Sequence, residues 1–210
     1  MAFDYKKEYK EFYLPPKKPV IVTIPKMNYI AIRGKGDPNE EDGEYKRAMS
    51  LLYPIAYTLK MSPRSGKETE GYFEYVVPPL EGLWWQEGIE GFDLKRKNLF
   101  NWISLIRLPE FFNESDVDWA KEEVKRKKDL DTSSLEFFTY KEGLCVQMMH
   151  IGSFDDEGES VKLMDEFIKK EGFENDFSPL RLHHEIYLSD FRRTAESKLK
   201  TVIRHPIKKR

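Results

Sequence analysis

Cysteine is almost absent from this chain. One residue in 210, Cys145, excludes an intramolecular disulfide and fits a reducing compartment. It lies in the apolar run Leu144-Cys145-Val146, where a buried, inert thiol is expected rather than a nucleophile. Long apolar runs are missing too. The most apolar helical stretch, Leu51 to Leu59, is too short and too interrupted to cross a bilayer. The opening residues, Met1 to Phe12, are charged and resemble no signal peptide, so a cytoplasmic location is expected. Neither sign of charge dominates: the formal net charge is −2, which gives no bulk attraction to nucleic acid. Gly-x-Ser-x-Gly and His-Glu-x-x-His are absent, and Gly34-Lys35-Gly36 is too short for a phosphate loop, so no cofactor is expected.

Aromatic residues are plentiful. Fourteen Phe, eleven Tyr and four Trp exceed the needs of a core of this size, and aromatic-lined pockets are one use for the surplus. The most informative stretch is Leu180-Arg181-Leu182-His183-His184-Glu185-Ile186-Tyr187-Leu188, which alternates strictly. Leu180, Leu182, His184, Ile186 and Leu188 share one face of a strand, and this mostly apolar face is expected to pack on helices. Arg181, His183, Glu185 and Tyr187 share the other. Glu185 thus stands between an imidazole and a phenol, a candidate acid, base or ligand partner if that face lines a cleft. If the face meets water, the residues are an ordinary polar sheet surface.

The chain reads as a duplicated unit. Asn28 to Arg33 is an apolar strand followed by Gly34-Lys35-Gly36-Asp37; Val146 to Ile151 is another, followed by Gly152-Ser153-Phe154-Asp155. A helix follows each: Ala48, Leu51, Leu52, Ile55, Ala56 and Leu59 give one apolar stripe, with Pro54 expected to kink it, and Val161, Met164 and Ile168 give the other. Two strands then close each copy, Tyr72 to Trp85 with Asn101 to Arg107, and Leu180 to Leu188 with Leu199 to Arg204. Between the copies, Ser115 to Lys128 reads as a charged helix capped by Ser115. Residues 1 to 18 and Pro206 to Arg210 are expected to be peripheral. The implied class is α+β in a single domain spanning 1–210. It has two strand–helix–strand–strand repeats, about 20–109 and 143–207, related by a pseudo-twofold axis. Helices lie on one face of the sheet and a ligand cleft on the other.

Trp84 and Trp85 are adjacent, so on a strand they point to opposite faces, and one of them is expected to face the cleft. Glu81 is read as a turn carboxylate after Pro78-Pro79. Tyr53 and Tyr57, one helical turn apart, either pack at the rim of the core or line a pocket wall. Phe138 and Trp102 are further candidates for the wall. No metal site is expected: His183 and Glu185 share a face, but no third ligand follows at a usual spacing.

The run Leu-Arg-Leu-His-His-Glu-Ile-Tyr-Leu-Ser-Asp resembles the GyrI-like small-molecule-binding family. So do Pro-Lys-Met-Asn-Tyr (25–29), Arg-Gly-Lys-Gly-Asp-Pro (33–38), Leu-Glu-Gly-Leu-Trp-Trp (80–85) and Arg-Arg-Thr-Ala (192–195). The likeness covers about residues 20 to 207 and is closest to the free-standing bacterial branch. It implies a duplicated fold with a ligand cleft on the pseudo-twofold axis, where Glu185 matches a buried Glu that binds cationic or amphipathic drugs. The chain is similar to the cyclopropanoid cyclopropyl hydrolase subfamily, which opens DNA alkylators of the yatakemycin class in an aromatic cage. That resemblance implies catalytic roles for Glu185 and Tyr187, and ligand contacts from His183, Trp84, Trp85, Phe138, Trp102, Tyr53 and Tyr57. It implies a small aromatic or amphipathic ligand as partner, with no nucleic acid, membrane or cofactor. A drug-binding protein without chemistry is the alternative.

Overall fold

A computed structural model describes residues 2–89 and 91–210. The elements run α1 (Tyr5–Glu8), α2 (Lys10–Tyr13), β1 (Val20–Lys35), α3 (Glu44–Lys60), β2 (Leu80–Gln86), β3 (Phe100–Leu108), α4 (Glu114–Lys128), β4 (Leu135–Ile151), α5 (Glu157–Lys170), β5 (Phe173–Asn175), β6 (His183–Tyr187) and β7 (Lys200–Lys209). The class is α+β, as the sequence implied. The chain divides into two compact units, each assembled from separated segments. One comprises Met1–Tyr5, Met27–Pro78 and Gln86–Tyr140; the other comprises Lys6–Lys26, Pro79–Trp85 and Lys141–Arg210.

In the first unit β1 and β3 pair antiparallel, from Asn28 opposite Leu108 to Lys35 opposite Asn101. Helix α3 buries Ala48, Leu51, Leu52, Ile55, Ala56 and Leu59, the stripe read from the sequence, and packs on β3 and α4. Pro54 sits inside α3 without ending it. Helix α4 is capped by Asn113, not Ser115: the Asn113 side chain accepts from the Ser115 and Asp116 amides, and Asp116 accepts in return from the Asn113 amide. Ser115 also has a carboxylate at that spacing, Asp118, but the Asn113–Asp116 pair is the one that closes a capping box. The expected strand from Tyr72 is confined to an isolated bridge at Tyr75. Pro78 and Pro79 lack the amides a ladder needs, so β2 starts only after them.

The second unit is organised around β7. It pairs with β6 (Arg204 opposite His184), with β4 (Arg204 opposite Gln147) and with β5 (Lys209 opposite Phe173), and β2 continues the sheet beyond β6 (Gly82 opposite Glu185). Val146, Met148 and Ile203 lie on one face of this sheet and pack with Met164 and Ile168 of α5 into a buried cluster. β6 is shorter than the alternation suggested. It begins at His183, and Leu180 is 80% exposed. Before it, Ser178 and Arg181 close a turn, and the Arg181 guanidinium bonds the carbonyls of Glu142 and Leu144.

Both termini are built into the structure, against expectation. The second unit holds its own N-terminal segment by main-chain carbonyls: Arg204 Nη2 donates to Phe12 O (2.7 Å), Gln147 Nε2 to Glu11 O (2.5 Å) and the Met149 amide to Pro16 O (2.9 Å). Tyr13 is buried there, and at the other end Ile207 belongs to the core while β7 runs to Lys209. No helix among the described residues is long and apolar enough to cross a membrane.

Candidate functional site

Alternation along β6 sends His183, Glu185 and Tyr187 to one face and His184 and Ile186 to the other. The structure inverts the expected roles of these faces. The His183–Glu185–Tyr187 face is the one that meets α5, because its cross-strand neighbour Ile203 packs on that helix and Glu157 from the first turn of α5 faces Glu185.

On this face His183 Nε2 lies 3.0 Å from Glu185 Oε1, and the Tyr187 hydroxyl donates to Glu185 Oε2 at 2.8 Å. Trp84 Nε1 donates to the Tyr187 hydroxyl at 2.9 Å. Gly82, directly opposite Glu185, makes room for that bond. A Cβ there would stand 2.4 Å from Trp84 Nε1 and 2.9 Å from the Tyr187 hydroxyl. Phe154 packs edge-on against Tyr187, with ring centroids 5.7 Å apart. Behind His183, its Nδ1 lies 2.7 Å from Nε2 of the buried His205.

Glu157 gives the cluster its character. Burial, the charge and hydrogen bonding of Glu185, and the charge of Asp155 all act in the same direction and raise the Glu157 pKa well above the usual carboxylate range. Its contact with an imidazole, Glu157 Oε2 to His183 Nε2, is long at 4.0 Å. Two carboxyl groups thus face each other, and the more buried of them, Glu157, resists ionisation. Glu157, His183 and Glu185 each offer one ligand atom, all within 4.8 Å of one another, a spacing that a divalent cation could also use. Glu157 is the third donor that the strand itself does not provide. The site reaches the surface through Glu185, whose side chain is 14% exposed, and through the edge of Phe154.

The opposite face of β6 is different. His184 Nδ1 lies 2.9 Å from Glu142 Oε1, which also takes a bond from Arg204 Nη1 at 2.8 Å, and Arg204 Nε donates to Gln147 Oε1. His184 Nε2 stands 2.9 Å from Glu81 Oε2, an ion contact without the alignment of a hydrogen bond, and the Tyr13 hydroxyl reaches Glu81 Oε1. Glu81, read from the sequence as a turn carboxylate, is therefore a buried ion-pair partner on β2. Simple alternation in β4 would turn Glu142 away from Gln147. Gly143, with φ +74, breaks the alternation and brings Glu142 to the same side. Burial alone would push the Glu142 carboxyl up, but the His184 and Arg204 charges outweigh it and hold it at about 2. Burial likewise pulls His184 down, but Glu142 and Glu81 outweigh it and hold it at about 9.

Of the residues singled out in the sequence, His183, Glu185, Tyr187 and Trp84 come together. Trp85 is half-buried and, next to Trp84 on β2, points to the other face. Phe138, Trp102, Tyr53 and Tyr57 belong to the first unit. Phe138 stacks on Tyr140 (5.7 Å between centroids) beneath the Arg33 guanidinium. Trp102 is fully buried, edge-on to Tyr45. Tyr53 and Tyr57 line a surface cavity of about 420 Å³ with Pro54, Met61, Lys127 and Lys128. Sequence reasoning missed Glu157 and His205. Glu157 was hidden among acidic residues that also suit a helix start, and His205 lies in a strand read as ending at Arg204. The available signal was Gly82, because a glycine inside a strand marks a close approach.

Residues 17–208 match the profile of the GyrI-like small molecule binding domain. Among solved structures, a hydrolase from Listeria innocua is 43% identical with a TM-score of 0.89, covering 99% of this chain and 100% of its own. A second hydrolase structure from Listeria innocua is 46% identical with a TM-score of 0.91, at the same coverage. The C-terminal domain of EcmrR, 13% identical with a TM-score of 0.53 over 92% of this chain and 98% of its own, shares the fold alone. No curated protein matches the chain.

Proposed function

Because the chain belongs to the GyrI-like small-molecule-binding family, we propose that it is a hydrolase of flat, electrophilic aromatic molecules. We propose further that it opens the cyclopropane of DNA-alkylating agents of the yatakemycin class. The observation that carries this reading is the buried Glu157–Glu185 pair, with Glu185 also contacted by His183 and Tyr187. Two carboxyls sharing a proton form one anionic base beside one acid, the arrangement that proton transfer near neutral pH requires. The hydrolases of Listeria innocua at 43 and 46% identity support enzymatic use of such a pair.

The substrate lies against Trp84, Tyr187 and Phe154, with its strained ring at Glu185. Glu185 takes a proton from water as the water oxygen bonds to the ring methylene. The cyclopropane C–C bond breaks, and its electron pair moves through the ring system onto the conjugated oxygen, which solvent protonates. Glu157 keeps the proton of the pair, so the site carries one negative charge rather than two. Glu185 returns its proton to solvent and the cycle closes.

The test is incubation with an alkylator of the yatakemycin class, followed by mass spectrometry. The expected result is gain of one water over many turnovers, lost in Glu185→Gln while binding persists. A second reading, binding without chemistry, is favoured by the small-molecule-binding character of the family. Stoichiometric binding with the ligand recovered intact would establish it and overturn the hydrolase.

A further inference from the structure

We infer that His205 is a positioning residue for this reaction: it donates from Nε2 to His183 Nδ1 and so fixes His183 as the tautomer that donates from Nε2 to Glu185. The kinetic consequence rests on the hydrolase reading; the tautomers do not.

His183 Nδ1 and His205 Nε2 are 2.7 Å apart and both rings are buried, so a single proton lies between the two nitrogens. Either ring could supply it. If His183 donates, His205 must carry its own proton on Nδ1. If His205 donates, its Nδ1 is a bare lone pair. The structure discriminates between the two, because His205 Nδ1 is buried with no hydrogen-bond partner among the described residues. An orphaned buried N–H is rarer than an under-satisfied acceptor and costs the donor its full desolvation. The proton therefore sits on Nε2 of His205. Burial pulls His205 well below its usual range, which agrees with a neutral ring.

His183 Nδ1 then accepts, and the His183 ring carries its proton on Nε2, 3.0 Å from Glu185 Oε1. On the other side Trp84, which can only donate, gives its N–H to the Tyr187 hydroxyl, and Tyr187 passes its own to Glu185 Oε2. Donors converge on Glu185 from both ends of the chain of contacts. Glu157 from α5 also faces Glu185, and Asp155 from the turn before α5 acts on Glu157. The donors favour charge on Glu185, and burial favours the proton on Glu157.

Nitrogen-15 NMR of the histidine rings, in chelator-treated protein without substrate, reads the tautomers directly. His183 and His205 are both expected to be protonated at Nε2 and bare at Nδ1. His205→Phe keeps a ring against Phe177 but has no donor. In that variant His183 should populate both tautomers, and kcat/KM should fall about tenfold, the equivalent of one charge-assisted hydrogen bond. His205→Gln places an amide N–H near the position of Nε2 and should restore both readouts. A wild-type His183 protonated at Nδ1 overturns the proposal, and so does a folded His205→Phe protein whose His183 tautomer is unchanged. If the wild type proves to have no turnover, the hydrolase reading fails and the ring nitrogens alone decide this one.

Discussion

The two faces of β6 bury the same kinds of residue to opposite effect. On one, His184, Glu142, Arg204 and Glu81 bring two cations against two carboxylates, and Glu142 is held at about 2. On the other, Glu157 and Glu185 have imidazole neighbours and each other, and every influence on Glu157 raises it. The two differ by one guanidinium. With Arg204, a buried carboxylate becomes a fixed structural charge. Without one, the carboxyl holds a proton that can move. The faces are one residue apart in sequence, so pleating alone separates a structural ion network from a reactive pair.

Four experiments would break or sharpen this contrast. The largest effect is expected from Glu142→Gln, which leaves Arg204 and His184 without their shared carboxylate. It should cost about 3–5 kcal/mol of stability, measured by urea unfolding; an unchanged midpoint would show that the network is not structural. Next comes the pH dependence of wild-type stability. His184 is raised from its usual 6.5 to about 9, so its contribution is complete below about 6.5 and lost as pH rises through 9. Glu142 is lowered from 4.5 to about 2, so its contribution is complete above about 4.5 and lost as pH falls towards 2. The pair is at full strength between about 4.5 and 6.5. Thermal unfolding should show a decline above that window that is absent in Glu142→Gln.

Glu157→Gln should do the reverse of Glu142→Gln. It replaces a carboxyl that resists ionisation with an uncharged amide, so at pH 8 it should gain roughly 1 kcal/mol of stability and keep most of its turnover. At pH 4, where folded and unfolded chains both hold that proton, the gain should vanish. A loss of stability at pH 8 would place Glu157 with the structural network. The smallest effect belongs to Trp84→Phe, which removes the donor to Tyr187 and should cost about 0.5–1.5 kcal/mol, with Tyr187 still bonded to Glu185.

Regular periodicity was legible in the sequence. The stripe of α3 gave its buried positions, and the alternation of β6 separated His183, Glu185 and Tyr187 from His184 and Ile186, because each depends on its own residues alone. Which face of β6 a helix covers was not legible. Apolar count favoured the His184 side, but His184 is ion-paired and buried, and the polar side meets α5 at Glu157. Long-range partners carry no local signature: Glu142 lies 42 residues from His184 and reaches it only through the break at Gly143. Asn113 displaced Ser115 as a cap although each stands three residues before a carboxylate, Asp116 and Asp118, so the local sequence alone did not decide between them.

The grip on the N-terminal segment goes through main-chain oxygens of Glu11, Phe12 and Pro16. A carbonyl is common to all twenty residue types, so substitution at Glu11 or Phe12 leaves the acceptors of Arg204 and Gln147 in place. Shortening the segment removes those acceptors and leaves the Arg204 fork, tied to Glu142, with an open prong. Apart from the buried Tyr13, the segment can therefore drift in spelling but not in length, and mutational scans should find it permissive where deletion scans find it essential.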